Sequence, residues 1–199
     1  MKLYKYKSLI PFEHTSEIIQ TRQFYLSDWK NLNDPMEGFF YQIVSEDSEI
    51  ETNQIVKDFI KFKSQLKVCS FSKTMSSLLL WTYYANSNKG VAFEIEIREK
   101  HEKLVKVDYI KRIQLIDFTT VSNPVIVLSK KISLWAYEKE YRYIGIDDHV
   151  TIGEITAIYL GSRISAENRK KIKDFNYYNI PIIETELDFS KNKVVLRNN

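Results

Sequence analysis

The residues best suited to chemistry lie together between Trp135 and Arg142, where the chain reads W-A-Y-E-K-E-Y-R. Taken as an extended strand, whose side chains alternate between faces, this stretch puts Glu138, Glu140 and Arg142 on one face and Tyr137, Lys139 and Tyr141 on the other. Two carboxylates and a guanidinium then converge. Such a face is either wet or lines a site. Carboxylates beside aromatic rings suit reaction at a sugar carbon. Breaking a bond there develops positive charge on the sugar, which a carboxylate stabilises while an aromatic wall holds a planar leaving group. That mechanism needs no metal. Glu-x-Glu recurs at Glu94/Glu96 and Glu184/Glu186 on strands with clear apolar opposite faces. What distinguishes Glu138/Glu140 is the added Arg142 and the aromatic neighbours.

Other chemistries lack their residues. There is no G-x-x-x-x-G-K-[ST] loop, and the five glycines never approach G-x-G-x-x-G, so kinase and dinucleotide-fold readings fail. His14, His101 and His149 are far apart and have no cysteine partners at ligand spacing. No G-x-S-x-G elbow marks a nucleophilic serine. The net charge of +3 imposes no global nucleic-acid footprint, though it leaves room for a local patch. The lone Cys69 rules out a disulfide framework within the chain and fits a reducing compartment. The N-terminus M-K-L-Y-K-Y-K lacks an apolar signal region, and no long apolar run occurs, so a cytoplasmic protein without membrane contact is expected.

The 199 residues suit one globular domain with its core in 2–187 and a polar tail in 188–199. Leu3 to Tyr6 alternates as a short strand ended by Pro11, and Thr15 or Ser16 can cap a helix carrying Ile18 and Ile19. Gln23 to Leu26 is extended. Asp28 to Gly38 is dense in turn formers. Asn33 and Asp34 can bond nearby amides in a self-contained turn, or the loop, with Glu37, can contact ligand. Residues 45–54 read as an exposed connection. Ile55, Val56, Phe59, Ile60 and Leu66 recur at helical spacing. Val68 to Ser72 reads as a strand with Ser70 and Ser72 facing away from Cys69 and Phe71. Ser76 or Ser77 then caps a helix in which Trp81 and Tyr84 share a face, as a core stripe or as a ring-binding wall. Val91 to Ile97 alternates as a strand, and with Val105, Val107 and Tyr109 suggests neighbouring antiparallel strands. Val125 to Lys131 reads as a helix opened by Pro124. Ile155 to Leu160 is a strand, Ser165 caps a basic helix with Ile172 and Phe175 inward, and Ile182 to Leu187 is the last strand. This order predicts an α+β fold with a largely antiparallel mixed sheet and flanking helices.

Six ordered motifs carry a resemblance: Leu3 to Tyr6, Asn33 to Glu37, Ser70 to Ser72, Trp81 to Ala85 with Gly90, Trp135 to Arg142, and Ile155 to Gly161. They are similar to L-Y-K-Y, N-D-P-x-E, C-F-S, W-S-H-Y-A, W-x-Y-E-x-E-x-R and I-x-x-I-Y-x-G of an uncharacterised family of bacterial proteins, a domain of unknown function. Two positions depart: Tyr83 stands where that family has histidine, and Ser70 where it has cysteine. More distantly the layout resembles the ADP-ribosyltransferase toxins, which split a strand pair around NAD. That resemblance implies a split sheet, NAD as cosubstrate, and Glu138 or Glu140 holding the ribose hydroxyl and stabilising the cationic sugar. It implies Lys5 and Arg142 on phosphates, Ser70 and Ser72 lining the cleft, and Tyr6, Trp81 or Tyr84 facing the nicotinamide. It also implies a toxin or phage-defence setting, with a nucleic acid or translation component as acceptor and a neutralising partner protein.

Two other classes use the same residues. One is a non-catalytic sensor whose loop and strand recognise a nucleotide or a partner protein. The other is a nuclease with Asp34, Glu37, Glu138 and Glu140 around magnesium.

Overall fold

The computed structural model describes residues 1–42, 49–118, 121 and 123–197. Chain order opens with β1 (Lys2–Lys7), α1 (Glu13–Thr21), β2 (Phe24–Tyr25), β3 (Ser27–Asp28), a 3-10 turn at Trp29–Asn31, β4 (Tyr41–Gln42), α2 (Glu49–Gln65), β5 (Lys67–Ser72) and α3 (Leu78–Tyr84). The middle holds β6 (Val91–Glu96), β7 (Leu104–Lys106), β8 (Asp108–Ile110), β9 (Leu115–Ile116), α4 (Val125–Leu128) and β10 (Lys130–Ile132). A 3-10 helix, Ser133–Glu138, leads into β11 (Glu140–Gly145), β12 (His149–Val150), β13 (Glu154–Leu160), α5 (Ala166–Phe175), β14 (Ile182–Asp188) and β15 (Lys193–Leu196).

This is an α+β fold. Among the described residues a nine-stranded sheet runs β15-β14-β13-β6-β1-β5-β11-β7, with β3 added beside β5. All its pairings are antiparallel except β13 with β14, which α5 connects as a crossover. Leu3, Phe93, Ile95, Ile158 and Leu160 cover one face against Ile18 and Ile19 of α1 and Ile172 of α5. Tyr6, Ala92, Ala157 and Tyr159 cover the other against Leu80, Trp81 and Ala85 of α3. Small residues at Ala92 and Ala157 leave room there for the fully buried Trp81 ring, which meets Tyr6 edge to face at 5.3 Å.

One seam of the sheet differs from the rest. β1 pairs with β6 over six residues, but with β5 through the single pair Tyr4↔Ser72. Across the remaining gap the Lys5 ammonium donates to the Ser70 carbonyl at 2.9 Å.

Several expectations are corrected. Glu138 does not continue the strand of Glu140 and Arg142, because the chain enters by a 3-10 helix and turns at Lys139 in the left-handed region, φ 46°. α1 has Phe12 at its cap position, and Thr15 is buried with its hydroxyl donating to Ser8 O, so neither Thr15 nor Ser16 caps it. In α2, Phe59 and Lys63 turn inward while Ile55 and Ile60 are exposed, a rotation set by the aromatic cluster that Phe59 joins with Phe118. The expected connection over 45–54 already belongs to α2 from Glu49, and 45–48 lie outside the described residues. α4 stops at Leu128, since its β-branched run is a poor helix former, and Lys130–Ile132 instead pairs in parallel with β8. β6 is not beside the strand of Val105: it is buried on both faces in mid-sheet, while β7 pairs with β11 at the edge. The expected tail contributes β15, which pairs with β14 and buries Val194 completely.

Candidate active site

The seam between β1 and β5 opens into a cleft of about 220 Å³. Its walls and floor include Tyr4, Lys5 and Tyr6 from β1, Asn33 from the loop after the 3-10 turn, Ser70 and Ser72 from β5, Tyr84 from α3, and Lys131, Glu138, Glu140 and Arg142. Nine of the twelve residues singled out from the sequence thus line one cleft. The other three are elsewhere. Trp81 is a core side chain donating to Met75 O, Asp34 takes the Met36 amide within its own turn, and Glu37 lies behind the cleft floor against Arg142.

The floor is a chain of buried charges. Arg142, fully buried, donates to both oxygens of Glu37 at 2.6 and 2.7 Å, to Glu140 at 2.8 and 3.1 Å, and to Leu128 O at 2.6 Å. Lys131 donates to Glu138 at 2.6 Å and to Glu140 at 3.3 Å. The Tyr84 hydroxyl closes the chain, donating to the second Glu138 oxygen at 2.6 Å. Register explains the convergence: Glu140 faces Ser72, and Arg142 faces Ser70, across β11 and β5. The turn at Lys139 then folds Glu138 back toward the same space, held by Ser72, whose hydroxyl donates to Glu138 O at 2.6 Å. Tyr109 fixes the next residue, its phenol oxygen accepting the Glu140 amide at 2.8 Å.

Three carboxylates meet two cations, so one negative charge is in excess when all are ionised. The environments push the two cleft carboxylates apart. Burial alone would raise Glu140, but Arg142 and Lys131 outweigh it and hold the carboxyl down at about 2. Glu138 goes the other way: burial raises it, Lys131 only partly offsets this, and neighbouring Glu140 adds to the rise. Of the two, Glu138 therefore holds a proton more readily than Glu140. Burial and the Glu138 charge push the Tyr84 phenol up, so it stays a donor.

Sequence reasoning missed Lys131, which joins the two carboxylates, and it treated Tyr4 and Tyr109 only as strand residues. A Lys-Lys pair after a helical run reads as a favourable helix C-terminus. The one available signal was that Lys131 lies four residues before Trp135, at the entry to the charged stretch. The magnesium arrangement is not assembled, since the Arg142 guanidinium and the Lys131 ammonium lie between the carboxylates it would need.

Among the described residues no helix is long and apolar enough to cross a membrane. Comparison with protein-family models, curated proteins and solved structures returned no match.

Proposed function

We propose that this cleft binds NAD and transfers its ADP-ribosyl group to an acceptor nucleophile, with Glu138 as the catalytic carboxylate. The observation that carries this reading is the placement of Glu138 and Glu140, joined by Lys131, beneath the gap between β1 and β5, with Tyr4 and Tyr6 on one wall and Tyr84 on Glu138. Pairs of carboxylates driven apart by their surroundings divide acid–base and electrostatic roles. The bond from C1′ of the ribose to the nicotinamide nitrogen breaks, and its electron pair leaves with nicotinamide. Positive charge on the ribosyl carbon is met by the Glu138 carboxylate, which also accepts the ribose hydroxyl. The acceptor then bonds to C1′, and its proton passes to Glu138 and on to solvent. The cleft is small for a whole dinucleotide, so it takes the nicotinamide ribose, and the adenosine half lies over the rim near Lys5. Arg142, with its donors engaged by Glu37, Glu140 and Leu128 O, acts as an organiser of the floor and not as a phosphate ligand.

A toxin or phage-defence effector modifying a nucleic acid or protein is the biological setting this chemistry would serve. A second reading, a nucleotide-binding sensor, is favoured by one observation: both oxygens of Glu138 and of Glu140 already accept hydrogen bonds from Tyr84, Lys131 and Arg142.

The test is release of nicotinamide from millimolar NAD by the purified protein and by Glu138→Gln. Release by the parent, lost in Glu138→Gln with an unchanged unfolding midpoint, is the expected result. Saturable NAD binding without release would replace the transferase with the sensor, and no binding at all would sink both.

A further inference from the structure

On the side of β1 away from β5, the next strand, β6, carries a buried carboxylate outside the cleft. Glu94 alternates with Ala92 onto the face that α3 covers, is 4% exposed, and is not among the residues lining the cleft. Four donors from β1 and β13 reach it: Oε1 accepts from the Lys2 ammonium and the Thr156 hydroxyl, each at 2.8 Å, and Oε2 from the phenols of Tyr4 at 3.1 Å and Tyr159 at 2.9 Å. Thr156 arrives through a bulge. β13 shifts register against β6 between Ile155 and Ala157, which leaves Thr156 without an opposite residue and re-aims its side chain. Burial alone would raise the Glu94 carboxyl, but donation from Lys2, Thr156, Tyr159 and Tyr4 outweighs it and holds the group below its ordinary value.

An ionised carboxylate in the middle of a sheet is costly, and an apolar residue of similar size would stabilise the layer about as well. What Glu94 does for the cleft passes through Tyr4, which stands between two partners. Glu94 is opposite Tyr4 on β6, and Ser72 is opposite it on β5, in the single pair that closes the seam. The phenol goes to Glu94, so the ring leans over β6 and meets the Tyr159 ring edge to face at 6.0 Å. Ser72 lines the cleft, and directly opposed side chains start only about 5 Å apart, so a ring leaning the other way would lie across the gap.

We propose that Glu94 is a positioning residue for the cleft: it holds the Tyr4 phenol back over β6 and so keeps the gap between β1 and β5 open to ligand. The consequence for NAD rests on the reading of the cleft as a nucleotide site, whereas the position of the ring does not.

The test pairs calorimetric titration with NAD and crystal structures of the variants. Tyr4→Phe removes only the hydroxyl and leaves Glu94 its three other donors. The expected result is a Phe ring turned across the gap toward Ser72, with NAD affinity roughly tenfold lower as the share of open molecules falls. Glu94→Ala should release the Tyr4 ring in the same way. Tyr4→Ala takes the ring away, so it should bind NAD more tightly than Tyr4→Phe, and the pair Glu94→Ala with Tyr4→Ala more tightly than Glu94→Ala alone. That rescue separates positioning from structural support, because loss of the ring's packing would only add to a structural defect. A Phe ring that stays over β6 overturns the proposal. So does weaker binding by Tyr4→Ala than by Tyr4→Phe, which would make the ring a ligand contact. If the parent binds no NAD, the nucleotide reading falls, and the ring position in the Tyr4→Phe crystal still decides the role of Glu94.

Discussion

Arg142 in β11 donates to both oxygens of Glu37, 105 positions earlier in the chain, at 2.6 and 2.7 Å, with both side chains almost wholly shielded from solvent. This forked bond ties the loop of Asn33 to Gly38 to the sheet. Asp34 shapes the same loop through its own turn, and Gly38 closes it at φ 69°, where an added Cβ would press on the Trp29 ring at 2.9 Å. Glu37 thereby sets the position of the guanidinium that holds Glu140, although it never enters the cleft.

Breaking this pair should cost more than any surface ion pair. Glu37→Gln is expected to lower stability by about 3–5 kcal/mol, because the amide can accept only one of the two buried guanidinium bonds and turns its own N–H toward the other. Arg142→Lys should not restore the loss, since an ammonium cannot make the forked contact. Urea unfolding of both variants checks this, and a change below about 1 kcal/mol for Glu37→Gln would contradict it.

Acid titration should show two opposed effects. Glu140 is held at about 2 when folded and titrates near 4.5 when free. The unfolded chain therefore takes up this proton first, and the stability Glu140 contributes above 4.5 is lost as the pH falls toward 2. Glu138 is raised, so its ionised form costs stability at neutral pH, and that cost is relieved as the pH falls through its folded value. Stability measured by urea unfolding should rise on mild acidification and then drop. Glu138→Gln should flatten the rise, and Glu140→Gln the drop.

Lys63 predicts the alkaline side. Its ammonium donates to Gly38 O and lies over the Trp29 ring at 3.9 Å, and burial lowers it to about 8. The folded protein releases this proton before the unfolded chain, which holds it to about 10.5, so stability should climb between those values. Tyr6, Tyr84 and Tyr109 are all raised by burial, so above about 10 the unfolded chain ionises first and stability falls again. Lys63→Met should reduce the climb, leaving the part due to Lys7, which burial also lowers, and keep the fall. A climb unchanged by the substitution would place its origin elsewhere.

The last strand should matter to the fold. Val194 is fully buried against the layer that holds Trp81, so Val194→Ala is expected to cost about 2 kcal/mol. Thermal unfolding reads this directly, and an unchanged midpoint would show that β15 is dispensable.

What local pattern could determine, the sequence determined. The alternation of Val91 to Ile97 and the stretch Ile155 to Leu160 marked two strands, and Ser77 and Ser165 cap helices as their positions implied. Glu138, Glu140 and Arg142 stood out because charges at that spacing on a short stretch are costly unless they meet partners. Tertiary structure decided who those partners are. Lys131 reaches the carboxylates only because β10 pairs with β8 instead of ending a helix, and Glu37 reaches Arg142 only across the folded loop. Trp81 and Tyr84 shared one helix, yet Trp81 was drawn into the core over Ala92 and Ala157 while Tyr84 was left to hold Glu138. Local rules act over a few residues, whereas burial and ion pairing act between segments that become neighbours only after the sheet has formed.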